Sequence, residues 1–299
     1  MVNKMDIRSL QYFNQVADSG NITRAARQLH VSQPALSRQI KEMETELGVQ
    51  LLIRGHNRVQ LTQAGQYLYN RGNEIIGLMN HTIQNVSEQD EINGVLEIGA
   101  GENIALLPVM TVINQIIDQY PETSVNIVSG DEQLIKQKLD NGTLDFGIIM
   151  GNDNLIDYQS LAIPDDNIWG ALVTKDDPLA KLRFITIKDL VNRKILISDQ
   201  AYHQDKLRQW AGNDLNKLTF SGRFNLINNA KLLVETGNCV ALTYKGLVES
   251  SKTVFRPLSP ILKDHNYLIW NNNHQLSNVG KLFVKKLKKQ FQTNITGKF

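Results

Sequence analysis

A chain of 299 residues with 41% hydrophobic content has material for two or more domains with real cores, and its formal net charge of +2 is too small for the total to mark a nucleic-acid binder. No apolar run approaches the roughly 18–20 residues that span a bilayer, and Met1–Asp6 lacks a signal-peptide core. The single cysteine, Cys239, lies in the apolar run Cys-Val-Ala-Leu, forms no intrachain disulfide and fits a reducing compartment, so a soluble cytoplasmic protein without a membrane partner is expected.

Asp6 is placed to cap a first helix in which Leu10, Phe13, Val16 and Ala17 share a face, and Ser19-Gly20 stops it. Asn21–Thr23 offers caps for a second helix over Arg24–His30, with Ala25, Ala26 and Leu29 inward; the small alanines permit close approach to another helix. Only Val31 separates it from Ser32, the cap of a third helix that carries Pro34 in its first turn and ends at Gly48. Leu36, Ile40, Met43 and Leu47 line one face of this helix. On the opposite edge Gln33, Ser37 and Lys41 stack at i, i+4 and i+8 beside Pro34 and Arg38. Amide, hydroxyl and cationic groups in that array can read base edges and phosphates in a major groove. Alone, such an edge is what any amphipathic helix turns to solvent. Two helices joined by so short a turn, the second with this face, make a helix-turn-helix.

Leu51–Arg54 and Arg58–Leu61 flank Gly55-His56-Asn57 and read as a hairpin, a wing that carries Arg54, His56 and Arg58 toward phosphates or an adjacent minor groove. Residues 1–62 hold eight Lys or Arg against five acids, so this part is modestly basic.

The runs Arg-Ser-Leu-Gln-Tyr-Phe at 8–13, Thr-Arg-Ala-Ala-Arg-Gln-Leu-His-Val-Ser-Gln-Pro-Ala-Leu-Ser-Arg-Gln-Ile at 23–40, Leu-Gly-Val at 47–49 and Leu-Thr-Gln-Ala-Gly at 61–65 closely resemble the N-terminal domain of LysR-type transcriptional regulators. The resemblance implies that Gln33, Pro34 and Arg38 face bases and that Thr23, Ser32 and Ser37 hold phosphates; Lys41 on the helix edge and Arg54 and Arg58 on the wing, read from the residues themselves, are expected to complete a double-stranded DNA interface. The chain departs from the family's wing at Asn57, where an arginine is frequent, with Arg58 immediately after.

From Thr62 to about Ile92 one long helix is expected. Ile76, Met79, Ile83 and Val86 form a coiled-coil seam, with Leu68 and Ile75 extending the apolar side. So exposed a helix is expected to pair with a second copy, and the resemblance implies a linker that dimerises two winged domains, with homotetramers as the further assembly.

Asn93-Gly94 opens a series of alternating elements: strands at Val95–Ala100, Val125–Ser129 and Phe146–Met150, and helices at Ala105–Gln119 and Glu132–Leu139. A second series has strands at Ile195–Ser198, Thr219–Phe224 and Val240–Thr243, with helices at His203–Ala211 and Asn228–Glu235. Alternation of this kind implies right-handed βαβ units. Ile168–Thr174 and Tyr267–Trp270 are apolar strands placed to cross between the two series. Leu282, Phe283, Leu287 and Phe291 recur at helical spacing, which makes the six lysines of Lys281–Phe299 a solubilising outer face.

The expected fold is therefore α/β: a winged helix-turn-helix over 1–62, a linker helix over 63–93, and an effector domain over 94–299 that resembles two-lobed periplasmic-binding-protein-like domains. Lobe I would take 94–166 and 267–299, lobe II 167–266. In such sheets ligands bind beyond the carboxyl ends of strands, near helix N-termini. That places a small-molecule effector among Gly101, Glu102 and Asn103, with Asn103 as a helix cap; Ser129 and Gly130 beside Asp131; Ser198 and Gln200; and Asn225. Family members often carry a hydroxyl where this chain has Glu102, and an acid there disfavours a simple carboxylate ligand unless it turns away. Glu102 and Asp131 serve equally well as helix-start stabilisers. No HExxH, GxSxG, GxxxxGK[ST] or GxGxxG pattern, and no metal-spaced Cys or His pair, points to catalysis, a metal or a cofactor. The expected function is an effector-controlled transcriptional regulator; the competing reading is a solute-binding or enzymatic α/β domain with a DNA-binding appendage.

Overall fold

The computed structural model describes residues 5–55, 58–86, 92–151, 155–203, 205–248 and 250–296. The wing tip at His56 and Asn57, the linker from 87 to 91 and the side chain of Val86 lie outside the described residues. The chain folds as two compact units, Met1–Gln89 and Asp90–Phe299.

The first unit consists of α1 (Ile7–Ser19), α2 (Ile22–Gln28), α3 (Gln33–Leu47), a hairpin of β1 (Leu52–Arg54) and β2 (Val59–Leu61), and α4 (Gln63–Val86). Its helix starts are set by side-chain oxygens that accept otherwise unpaired backbone N–H groups. Asp6 accepts from Ser9 at 2.7 Å, Asn21 from Arg24 at 2.9 Å and Ser32 from Ala35 at 3.4 Å. Because Asn21 is the cap, α2 begins at Ile22, two residues before the expected start, and Thr23 sits in its first turn. Gly20 and Gly48 close α1 and α3 in the left-handed conformation, at φ 58° and 68°. Phe13, Val16, Ala25, Leu36, Ile40 and Leu51 are buried together between the helices.

Two glycines let α4 press on this core. A Cβ at Gly65 would stand 2.1 Å from the Leu51 carbonyl oxygen, and one at Gly72 would stand 2.8 Å from the Asn14 amide oxygen. Asn14 donates to Asn73 at 2.7 Å, and the Tyr69 hydroxyl reaches Asp18. Further along, Ile75 and Leu78 are exposed by 42% and 41%, while Ile76 and Met79 are half-buried.

The second unit runs β3 (Gly94–Ala100), α5 (Leu107–Gln119), β4 (Thr123–Ser129), α6 (Glu132–Asp140), β5 (Phe146–Met150), β6 (Tyr158–Thr174), α7 (Ile187–Leu190), β7 (Lys194–Ser198), α8 (Asp199–His203), α9 (Asp205–Ala211), β8 (Thr219–Phe224), α10 (Ile227–Glu235), β9 (Cys239–Tyr244), β10 (Thr253–Pro257), β11 (Lys263–Asn271) and α11 (Asn278–Thr296). One mixed sheet orders its strands β4-β3-β5-β11-β6-β9-β7-β8, with β10 paired to β6. β3 is parallel to β4 and β5; β7 is parallel to β8 and β9. β6 joins the halves, pairing antiparallel with β11 along its first part and with β9 and β10 along its second.

Only Ile168–Thr174 of β6 is legible as a strand in the sequence, because the polar run Asp165-Asp166-Asn167 masks the first part. The helix expected at His203–Ala211 corresponds to α9, while α8 and β10 are additional to the expected elements. Apolar cores fill each half, one around Phe146, Phe283 and Leu287, the other around Ile195, Val240 and Leu258. Val279, Phe283, Leu287 and Phe291 face the first core, while Lys281, Lys285, Lys288 and Lys289 of α11 are exposed.

Gly65→Ala should lower the stability of the first unit by about 1–3 kcal/mol, the usual cost of overpacking against backbone. Chemical denaturation followed by circular dichroism of the full chain measures it, and an unchanged unfolding midpoint would contradict the close approach of α4 to Leu51.

Candidate functional site

The exposed edge of α3 follows from its burial pattern. With Leu36, Ile40 and Met43 turned inward, Gln33, Pro34, Arg38 and Lys41 are exposed, as is the cap Ser32, and Ser37 is half-buried. Gln39 ties the helix to α1 through the Ser9 hydroxyl at 2.9 Å. Glu44 fixes α3 to the wing: one carboxylate oxygen accepts the backbone N–H groups of Leu51 and Leu52 at 2.9 and 3.0 Å.

The expected interface residues are not equally presented. Thr23 and Arg58 are exposed and lie around a shallow depression with Arg24 and Arg27. Arg38 pairs with Glu42 at 2.8 Å in a fully solvated i,i+4 contact, a weak hold that a phosphate or base edge can replace. The Arg54 guanidinium donates to Glu44 and to the Ser37 hydroxyl, both at 3.3 Å, because β1 brings it back over α3.

In the second unit the strand ends converge on a cavity of about 220 Å³. Gly101, Glu102, Ser129, Gly130, Ser198, Gln200 and Asn225 all line it, as does Asp131. Asn103 does not. It is buried, makes no side-chain cap, and turns its amide nitrogen to the Gly101 carbonyl at 3.4 Å, because the extended backbone at this residue directs it beneath the loop. Asp131 caps α6 through the Leu134 N–H at 2.8 Å. Glu102 caps no helix of its own. Its carboxylate reaches the opposite half of the sheet and accepts from the Ile227 N–H, the first residue of α10, at 3.4 Å.

Apolar lining residues that the sequence did not single out include Leu134, Met150, Trp169 and Leu242. The cavity also has an unexpected polar foundation. Asp264, 1% exposed, accepts from Trp169 Nε1 at 2.5 Å and from the Tyr244 hydroxyl at 2.7 Å, and pairs with Lys206. Trp169 and Tyr244 line the cavity with ring centroids 4.5 Å apart. Burial, then the neighbouring Asp264 charge, pushes the Tyr244 phenol well above its ordinary value. Asp264 lies before the strand expected at Tyr267–Trp270, and sequence alone gives no signal of this cluster.

The sequence pattern of the family described as "Bacterial regulatory helix-turn-helix protein, lysR family" matches residues 7–66, and that of the "LysR substrate binding domain" matches residues 89–292. The chain belongs to the LysR family.

As a member of that family it is a DNA-binding transcriptional regulator, and its relatives are regulators rather than enzymes. It is 28% identical over 197 residues to the HTH-type transcriptional regulator YtlI of Bacillus subtilis, a match spanning 65% of this chain and 63% of that protein. It is 26% identical over 298 residues to a probable RuBisCO transcriptional regulator of Synechocystis, spanning 95% of this chain and 86% of the other. In fold it is similar to the crystal structure of CbnR, a LysR family transcriptional regulator, with a TM-score of 0.73 at 18% identity over 96% of this chain and 99% of that one. CbnR in complex with its target DNA gives a TM-score of 0.72, also at 18% identity and over 96% of this chain and 100% of that one. Among the described residues of this LysR-family chain, no helix is long and apolar enough to cross a membrane.

Because the folded Tyr244 value lies above the ordinary 10.0, the stability linked to this phenol is complete below that pH and is lost as pH rises toward the folded value. Tyr244→Phe should therefore lessen the fall in unfolding free energy between about pH 9 and about pH 11. Denaturant titrations at the two pH values test this; an identical fall in both proteins would remove Tyr244 from the alkaline response.

Proposed function

We propose that this regulator reads an operator through the exposed edge of α3 and answers to a small-molecule effector held in the cavity of the second unit. Gln33, Pro34 and Arg38 contact bases. Thr23, Ser32, Ser37 and Lys41 hold phosphates, with Arg58, and Arg54 once released from Glu44, alongside the groove. The domain limits are 1–62, 63–93 and 94–299, and the effector domain divides into lobe I, 94–166 with 267–299, and lobe II, 167–266.

The observation that carries the effector reading is the convergence of loops from both halves of the sheet on one cavity. Seven of the eight residues expected there line it, beyond the carboxyl ends of parallel strands where α/β sheets bind ligands. Effector binding would change the relation of the lobes and, through the linker, the geometry of bound DNA. The apolar side of α4, with Ile75 and Leu78 exposed and Ile76 and Met79 half-buried, supports a dimer through residues 63–93. Two half-sites require two readers at a fixed spacing, and pairs of dimers forming a homotetramer are the further assembly proposed.

Gln33→Ala and Arg38→Ala should each weaken operator binding by about 1–3 kcal/mol, the range of a base contact, against excess nonspecific DNA. Wild-type affinity in both variants would overturn the assignment of the reading edge. Ile76→Asp with Met79→Asp should dissociate the assembly in sedimentation while leaving each unit folded, and an unchanged sedimentation coefficient would overturn the seam. For the cavity, Ser129→Trp should abolish the effector-dependent change in the footprint over the regulated promoter; a footprint that still responds would place the effector elsewhere.

A further inference from the structure

We propose that Glu102 sets the charge of the effector: the cavity takes a small molecule with a cationic nitrogen head on an apolar or aromatic body, and excludes free carboxylates. This inference rests on the reading of the cavity as the effector site. The N-terminus of α10 presents backbone N–H groups that no side chain of its own cap residue satisfies. Asn225 turns its amide oxygen to the Leu226 N–H instead, at 2.9 Å. Such an end, at the rim of a ligand cavity, draws anions. Here the protein's own carboxylate fills that seat from the facing half, Glu102 standing 3.4 Å from the Ile227 nitrogen.

The remaining charges of the wall do not offset it. Asp131 is used as the cap of α6, and Asp199 pairs with Arg223 at 2.9 Å. None of the described lining residues is a lysine, arginine or histidine. A ligand carboxylate would thus find its natural seat taken and meet like charge in a confined space. A carboxylate that uses one oxygen on Ile227 keeps acceptor capacity on the other, which suits an ammonium donor. Trp169 and Tyr244 supply aromatic surface for the cation's body and, where a face is presented, cation–π attraction.

Isothermal titration of the full chain with phenethylammonium, phenethyl alcohol and phenylacetate tests the assignment. Wild type should bind the ammonium about tenfold or more tightly than the other two, the change expected of one charge-assisted hydrogen bond. Glu102→Gln should lose that preference and still exclude phenylacetate, since the amide oxygen keeps the seat. Glu102→Ser should open the seat, so that phenylacetate gains about tenfold while the ammonium loses a similar factor. Thermal denaturation verifies that both variants fold. Wild type binding phenylacetate as tightly as the ammonium, or variants that keep the wild-type order, would overturn the charge assignment alone. Binding that survives Ser129→Trp, or no binding of any probe to any form, would overturn the cavity reading beneath it.

Discussion

The second unit depends on the pairing of β6 with β11, the antiparallel strands at the centre of its sheet. Chain passing between two apolar cores must satisfy its backbone without help from either, and the ladder from Lys263–Ile168 to Asn271–Tyr158 does so. Its alternate side chains enter two different apolar clusters, Leu268 and Trp270 on one face and Tyr267 and Ile269 on the other. Leu268 and Trp270 enter the core around Phe146, whereas a one-residue slip would send them to the other face. The ladder shifts register between Asp264 and Asn266. There Asn167 donates to Asn266 at 2.7 Å, and Asn266 donates to the Asp165 carbonyl at 2.9 Å. These bonds leave only the Asn167 amide oxygen of the pair without a partner, and beside them Asp264 meets Trp169, Tyr244 and Lys206.

Asp264 makes that crossing specific more than it makes it strong. A buried ion pair gains little over an apolar replacement, yet removing one partner leaves an uncompensated charge and costs about 3–5 kcal/mol. Its three partners come from β6, β9 and α9, so a single carboxylate ties three elements of one half to a strand that also pairs with β5 in the other. Glu44 plays the equivalent part in the first unit. The N–H groups of Leu51 and Leu52 and the Arg54 guanidinium end on it, which ties the hairpin to α3. In each unit the acid that matters most structurally is one that organises backbone or buried donors from several elements.

That distinction explains what was legible in the sequence. Asp6, Ser32 and Asp131 act on N–H groups three residues away, so local order reveals them, and the α3 edge emerges from spacing alone. The Gly65 in the Leu-Thr-Gln-Ala-Gly run has its reason only in the Leu51 backbone against it. Glu44, Asp264 and Glu102 act at separations of 7 to 125 residues, and no periodicity marks them. The loops of the cavity were legible because strand ends and following helices are local features. Asn103 is not legible because its direction depends on the backbone beneath the loop, and the contact of Arg54 with Glu44 is not legible because its partner lies on another element. Half of β6 was hidden because a strand that pairs on both sides at a crossing tolerates polar residues an ordinary core strand would not.

The same geometry limits how an effector could act. A ligand shifts a conformational balance only by binding one state better than the other, so its contacts must differ between lobe arrangements. The Glu102 carboxylate belongs to one half and its Ile227 donor to the other, across the cavity that the ligand would occupy. The 3.4 Å contact is long, so by itself it holds the halves weakly. A cation seated on the other carboxylate oxygen would favour the arrangement that keeps Glu102 on α10, because the N–H groups and the ligand then share one ionised acceptor in a confined space. An anion would have to displace Glu102 and would favour the opposite arrangement. On this proposal the sign of the ligand's charge would decide the direction of the lobe shift as well as which molecules bind, because both would act through the single Glu102–Ile227 contact between the halves.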